Sequence, residues 1–239
     1  MTTRPALALY ATLLLTGPPA LADNHPTSVA EAAEALAAPA QARARAVAEA
    51  HGFNNWSDVT ELRFTFNVTL PGTEVTRAWR WRPQDRSATL DPGTDAAQAI
   101  DLGNVTNATE DAHAKFVNDM YWLLFPFQLI WSEPDLELET GVATPDGLDA
   151  GETVDRLIVR YTGGDGYTPG DRYDLYLAPG GTRIHGWSFF KEGAAGEVSG
   201  TGMMSNWAAP VEHGGLQIIE RFEGAGGPFE LTFTDVEVE

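Results

Sequence analysis

The sequence predicts an α+β protein, mainly β, built on an antiparallel sheet of about ten strands with two helical elements. Three observations carry this. From Glu61 onward apolar and polar residues alternate with a period of two in run after run. Turn signals such as Pro71-Gly72, Asp91-Pro92-Gly93 and Pro179-Gly180-Gly181 separate those runs at the spacing of an all-antiparallel sheet. The most apolar and aromatic stretch, Asn118 to Trp131, is instead the end of a helix, because Ala112, Phe116, Met120, Leu123 and Leu124 recur at helical spacing before it.

The first segment is a secretory leader. Residues 1–22 carry one positive charge at Arg4, an apolar run from Ala6 to Leu15 and the small-x-small site Ala20-Leu21-Ala22. That run is too short to anchor a helix in a bilayer, and no second long apolar run follows. The expectation is therefore an exported, not membrane-spanning protein, retained in a periplasm or else secreted, with residues 23–239 as a single domain. Residues 23–39 predict a loose helix. A firmer helix runs from Pro39 in its first turn through Ala40 to Ala50, and His51-Gly52 closes it with glycine at the left-handed cap. Trp56 follows in a short loop.

Leu62, Phe64, Phe66, Val68 and Leu70 define one face of the first strand. Past Pro71-Gly72 the return strand places Val75, Arg77, Trp79 and Trp81 on one face. Ser87 to Leu90 completes a meander, and Ala99 to Leu102 is a weaker strand. The helix from Asn107 to Leu124 begins with Glu110 and Asp111 in its first turn. Pro126 breaks it, and Phe127, Leu129 and Trp131 beyond it alternate as in a strand. Leu136 to Glu139, Val154 to Tyr161 and the hairpin of Tyr173 to Leu177 with Arg183 to Phe189 follow. Arg183, His185, Trp187 and Phe189 are expected to share a face. Residues 193–202 read as a mobile loop, Leu216 to Phe222 as one strand and Phe229 to Val238 as the last.

The charge balance bounds the partners. With 34 acidic against 15 basic residues the net charge is −19, a surface that repels nucleic acid phosphates and anionic lipid headgroups. Cysteine is absent, which excludes disulfides, thiolate metal sites, a cysteine nucleophile and a lipid-modified cysteine. The five histidines, His25, His51, His113, His185 and His213, form no metal-binding pair. The carboxylates Asp146, Asp149, Glu152 and Asp155, and Asp165, Asp171 and Asp174, do not have calcium-loop spacing and read as solvated loops. No Gly-x-Ser-x-Gly elbow or phosphate loop occurs. No cofactor and no metal are expected.

In this order, a helix ending at His51-Gly52, then Trp56, a strand meander, a helix running into Leu123-Leu124-Phe125-Pro126-Phe127, and a hairpin with Asp171-Arg172-Tyr173-Asp174-Leu175-Tyr176, the chain resembles the LolA/LolB/LppX superfamily, outer-membrane lipoprotein-sorting-like proteins. The resemblance implies a strongly curved antiparallel sheet, an incomplete barrel, with helices covering its concave face and an apolar cavity for acyl chains between them. It implies a non-catalytic carrier for a lipid, a lipoprotein acyl chain or another hydrophobic ligand, with envelope proteins as further partners. The concentration of rings on one helix and few strand faces marks Phe64, Phe66, Trp79, Trp81, Trp122, Leu123, Phe125, Phe127, Trp131 and Trp187 as candidate ligand-binding residues. Arg77 is the candidate for the arginine that the soluble carrier places at its cavity mouth. Two alternatives stand beside the carrier. One is an enzyme on the same curved sheet, as in a violacein-pathway protein of similar fold, with Arg77, Tyr121 and His185 converging on an aromatic small molecule. The other is a structural envelope-interaction module with a filled core.

Overall fold

A computed structural model describes residues 29–161, 170–191 and 202–239. The expected leader at 1–22, nearly all of the expected loop at 193–202, and Asp165 lie outside the described residues.

Helix α1 (Val29–Ala50) is continuous through Pro39, where two helices are expected from the sequence. The alanines on both sides propagate the helix, and Pro39, exposed, removes only one donor from it. Ala40, Ala44, Val47 and Ala48 form its buried stripe. Gly52 closes it with φ 90°, and a short 3-10 turn (Phe53–Asp58) follows. A Cβ at Gly52 would lie 2.4 Å from the Gly215 carbonyl oxygen, so this glycine is required both by its backbone angle and by close approach.

The strands are β1 (Leu62–Leu70), β2 (Thr73–Arg82), β3 (Ser87–Leu90), β4 (Gln98–Asp101), β5 (Asp135–Ala143), β6 (Thr153–Arg160), β7 (Arg172–Leu177), β8 (Ile184–Phe190), β9 (Met203–Trp207), β10 (Val211–His213), β11 (Leu216–Ile218), β12 (Arg221–Gly224) and β13 (Glu230–Val238). Eleven of them form one antiparallel sheet in the order β4-β3-β2-β1-β13-β12-β9-β8-β7-β6-β5, while β10 and β11 pair separately. The last strand thus inserts beside the first, and the sheet has two open edges, β4 and β5. The stretch expected to be one strand at Leu216 to Phe222 is two. Residues 216–218 pair with 211–213, and the main sheet resumes only at Arg221.

Two further helices join α1 against the inner face: α2 (Glu110–Leu123) and α3 (Phe125–Trp131). The segment beyond Pro126 is therefore helical rather than a strand. Leu124, with φ −119° and ψ 33°, breaks the helical path, and Pro126 sits in the first turn of α3, where no backbone donor is needed.

The sheet must curl, as two contacts on α2 require. Phe116 meets Trp79 of β2 at 5.3 Å between ring centroids, and Tyr121, five residues further on, meets Tyr173 of β7 at 5.4 Å. Six strand spacings separate β2 from β7, about 29 Å in a flat sheet. Five helical residues rise only about 7.5 Å. The sheet therefore wraps around α2 and α3 without closing, and residues of nearly every strand join one buried core with the helices.

The outer face is held by charge as well as by packing. Asp174 is buried and paired with Arg172 at 2.8 Å and with Arg156 at 3.5 Å. On the inner face Asp155 accepts from Arg43 of α1 at 2.8 Å and from the backbone N–H groups of Gly141 and Gly180. Asp155, Asp171 and Asp174 are thus buried rather than solvated, whereas Asp146, Asp149 and Glu152 are exposed. Among the described residues no group of His, Cys, Asp and Glu is arranged to hold a metal ion.

Candidate functional site

The inner face of the β1–β2 hairpin grades from large to small. Trp81 pairs with Leu62, Trp79 with Phe64, Arg77 with Phe66 and Val75 with Val68. At the ring-bearing end the space under α2 is filled: Phe116 meets both Trp79 and Trp81 edge-on at 5.3 Å. Towards the hairpin turn the two valines are too short to reach the helix. The result is an open groove of about 240 Å³ bounded by Phe66, Val68, Val75 and Arg77 on the hairpin, Phe229 and Leu231 at the start of β13, and Asn118 and Trp122 on α2. This is below the roughly 300–1,000 Å³ of pockets that engulf a whole drug-sized ligand.

The groove has one polar wall. Arg77 donates through Nε and Nη2 to Asp119 at 2.6 and 2.5 Å, a bidentate pair. Asp119, fully buried, also accepts from Trp79 Nε1 at 2.8 Å and from Asn118 Nδ2 at 2.9 Å. The guanidinium lies 4.6 Å from the centroid of the Phe66 ring. Its Nη1 has no hydrogen-bond partner among the described residues, and the side chain keeps 19% of its surface exposed. The wall therefore combines a neutralised ion pair with one unused donor group.

Of the residues proposed from sequence, Phe66, Arg77 and Trp122 border the groove. Phe64, Trp79, Trp81, Leu123, Phe125, Phe127 and Trp187 are buried in the packed interior. Trp131 ends α3 at 36% exposure, against Trp56 and Phe127. Val68, Val75, Asn118, Phe229 and Leu231 are additional groove residues. The valines were legible as members of alternating strands. Phe229 and Leu231 become neighbours only because β13 pairs with β1, with Leu231 opposite Val68, a pairing across the whole length of the chain that no local pattern encodes.

The three polar groups considered for an enzyme lie in separate surroundings. Arg77 is held by Asp119. Tyr121 packs between Tyr161, Tyr173 and Phe125. His185 turns instead to the Asp149 carbonyl at 3.2 Å, because an irregularity in the β7–β8 register puts Ile184 opposite Leu177 and into the core. It does not share the inner face with Trp187. Burial pushes the phenols of Tyr121 and Tyr173 upward, and that of Tyr161 to about 12. All three are neutral at ordinary pH and none is a ready base.

No family profile and no curated protein matches the chain. Solved structures to which it is similar include a DUF1329 family protein from Desulfovibrio piger, at 10% identity and a TM-score of 0.46, covering 85% of this chain and 93% of that one. Others are a putative outer membrane lipoprotein-sorting protein domain from Vibrio parahaemolyticus (13%, TM-score 0.43, 87% and 93% covered) and a LolA superfamily protein from Nitrosomonas europaea (11%, 0.40, 85% and 94%). Two of the three bear the names that the sequence resemblance anticipated. The groove itself bears on the ligand.

Proposed function

We propose that the protein is an exported, non-catalytic binding or carrier protein that holds the apolar limb of a lipid or similar hydrophobic molecule in the groove between the β1–β2 hairpin, β13 and α2. The single observation that carries this reading is the lining: six apolar side chains and one guanidinium, paired with Asp119 yet keeping an unused donor, around an open groove. Apolar walls bind by removing ligand surface from water, about 25 cal/mol per Å². The unused donors of Arg77 provide a fixed point for a polar group next to the chain. The leader-like N-terminus supports an address outside the cytoplasm, where such a ligand needs a carrier through water, with envelope proteins as its source and destination.

A fluorescent fatty acid, 11-(dansylamino)undecanoic acid, tests the proposal. The expected result is saturable binding at micromolar concentration, abolished by Val75→Asp, together with lipid detected by native mass spectrometry of protein purified from its own cell envelope. Absence of both overturns it.

A further inference from the structure

We infer that a second, inner subsite lies behind Trp122, where the N–H groups of Trp187 and Trp207 and the hydroxyl of Ser205 receive an uncharged carbonyl of the ligand. This rests on the groove reading proposed above and deepens it by assigning the ligand's polar chemistry. Trp187 Nε1, Ser205 Oγ and Trp207 Nε1 are all buried and have no hydrogen-bond partner among the described residues. They belong together. Trp187 of β8 stands directly opposite Ser205 of β9, Trp207 is two residues further on the same face, and the two indole rings are 5.0 Å apart.

Three donors in one patch define the ligand class. An indole N–H donates only, and a serine hydroxyl donates or accepts, so the complement is an oxygen with two lone pairs. The patch is enclosed by rings: Phe125 is 4.8 Å from Trp187 and 5.7 Å from Trp207, and Phe222 is 5.0 Å from Trp207. Among the described residues those surroundings supply no cation to offset a buried negative charge, which selects an ester or amide carbonyl over a carboxylate. Trp122 is the wall shared by groove and subsite. It borders the groove, is only partly buried, and lies 4.4 Å from Trp187 and 5.3 Å from Phe222. Its other neighbour, Phe229 at 5.9 Å, follows a turn containing Gly226 and Gly227. Displacing the Trp122 ring opens the groove onto the indoles, so a ligand whose apolar limb fills the groove brings its carbonyl to them.

The test is a titration of the full chain, labelled with ¹⁵N-tryptophan, with methyl dodecanoate, following the indole N–H signals assigned through single Trp→Phe variants. The expected result is a downfield shift of the Trp187 and Trp207 signals on binding, and a loss of affinity of about three- to tenfold in each of Ser205→Ala and Trp207→Phe, the factor for one hydrogen bond. The wild-type spectra give a readout even where a variant unfolds. Binding that shifts only the Trp122 signal, with Trp187 and Trp207 unmoved, overturns the subsite and leaves the groove intact. Indole signals already at hydrogen-bonded positions in free protein and unchanged by the ester mean an ordered water only, and also overturn it. No binding at all overturns both readings.

Discussion

At the scale of single residues, the most consequential contacts are buried polar ones that the sequence marks only as groups in need of partners. Asp119 sits in the aromatic stretch as a carboxylate that wants water or a cation, and its partners Arg77 and Trp79 are on a strand forty residues away. Removing one member strands the other. Arg77→Ala is expected to cost about 3 kcal/mol or more in urea unfolding, because Asp119 is left without its counter-charge. The double variant Arg77→Met, Asp119→Leu is expected to recover most of that loss, since a buried pair replaced by apolar groups of similar size is close to neutral. A double variant as unstable as the single one would show that the cost lies in packing. His51 gives a pH test of the same kind. Its Nδ1 lies 2.8 Å from the Gln217 carbonyl, and burial lowers its pKa despite that bond. The folded state therefore holds fewer protons on this ring than the unfolded chain, where the value is about 6.5. Its contribution is whole above that value and is lost as pH falls through 6.5 toward the lower folded value. The urea midpoint of the wild type should fall more steeply between pH 7.5 and 5 than that of His51→Gln, with the two curves parallel above pH 7.5.

At the scale of elements, period-two runs were read correctly where one face is buried, as in β1, β2 and β13. Reading failed where that alternation is absent or belongs to something else. Met203–Trp207 puts Ser205 on the inner face, so β9 lacks an apolar alternation to find. Phe127, Leu129 and Trp131 alternate, but α3 is apolar on several sides, with Phe125 through Leu129 all buried, and a helix buried all round mimics a strand in its spacing. The groove was half legible: its hairpin wall and Trp122 were in the alternating strands and the aromatic helix, and its β13 wall required tertiary pairing. Within α2 and β2 the division between core and groove makes two variants diverge. Leu123, at 2% exposure, should cost about 2–5 kcal/mol on truncation to Ala, with ligand affinity in the folded fraction unchanged. Val75→Asp, at the groove, should leave the urea midpoint nearly intact and abolish binding. Gly52→Ala should cost about 1–3 kcal/mol from its left-handed backbone alone. The clash with Gly215 adds to that, and hydrogen exchange should show the β10–β11 hairpin loosened first, because Gln217 donates to the His51 carbonyl across this contact.

At the scale of the whole molecule, a half-closed sheet leaves two edges to protect. At β5 the edge carries Asp135, Glu137 and Glu139, with Arg156 paired to Glu139 and Arg160 to Glu137 at 3.2 Å across the β5–β6 ladder, a charged edge that discourages further strand pairing. These pairs are a minority in a chain of 34 acidic and 15 basic residues. Two electrostatic effects therefore oppose each other when salt is added. Screening weakens the exposed pairs, each contributing about 0–1 kcal/mol, and it also relieves the mutual repulsion of the excess carboxylates, which acts on the compact state more than on the expanded chain. A net charge of −19 makes the second effect the larger. Raising sodium chloride from low ionic strength to about 0.5 M, where the Debye length shrinks to a few ångström, should raise the Tm, each 1 kcal/mol of relief appearing as about 2–4 °C for a chain of this length. A Tm that falls over the same range would mean that the ion pairs of Asp174, Glu137 and Glu139 outweigh the excess charge, and their single-residue variants should then lose their salt dependence.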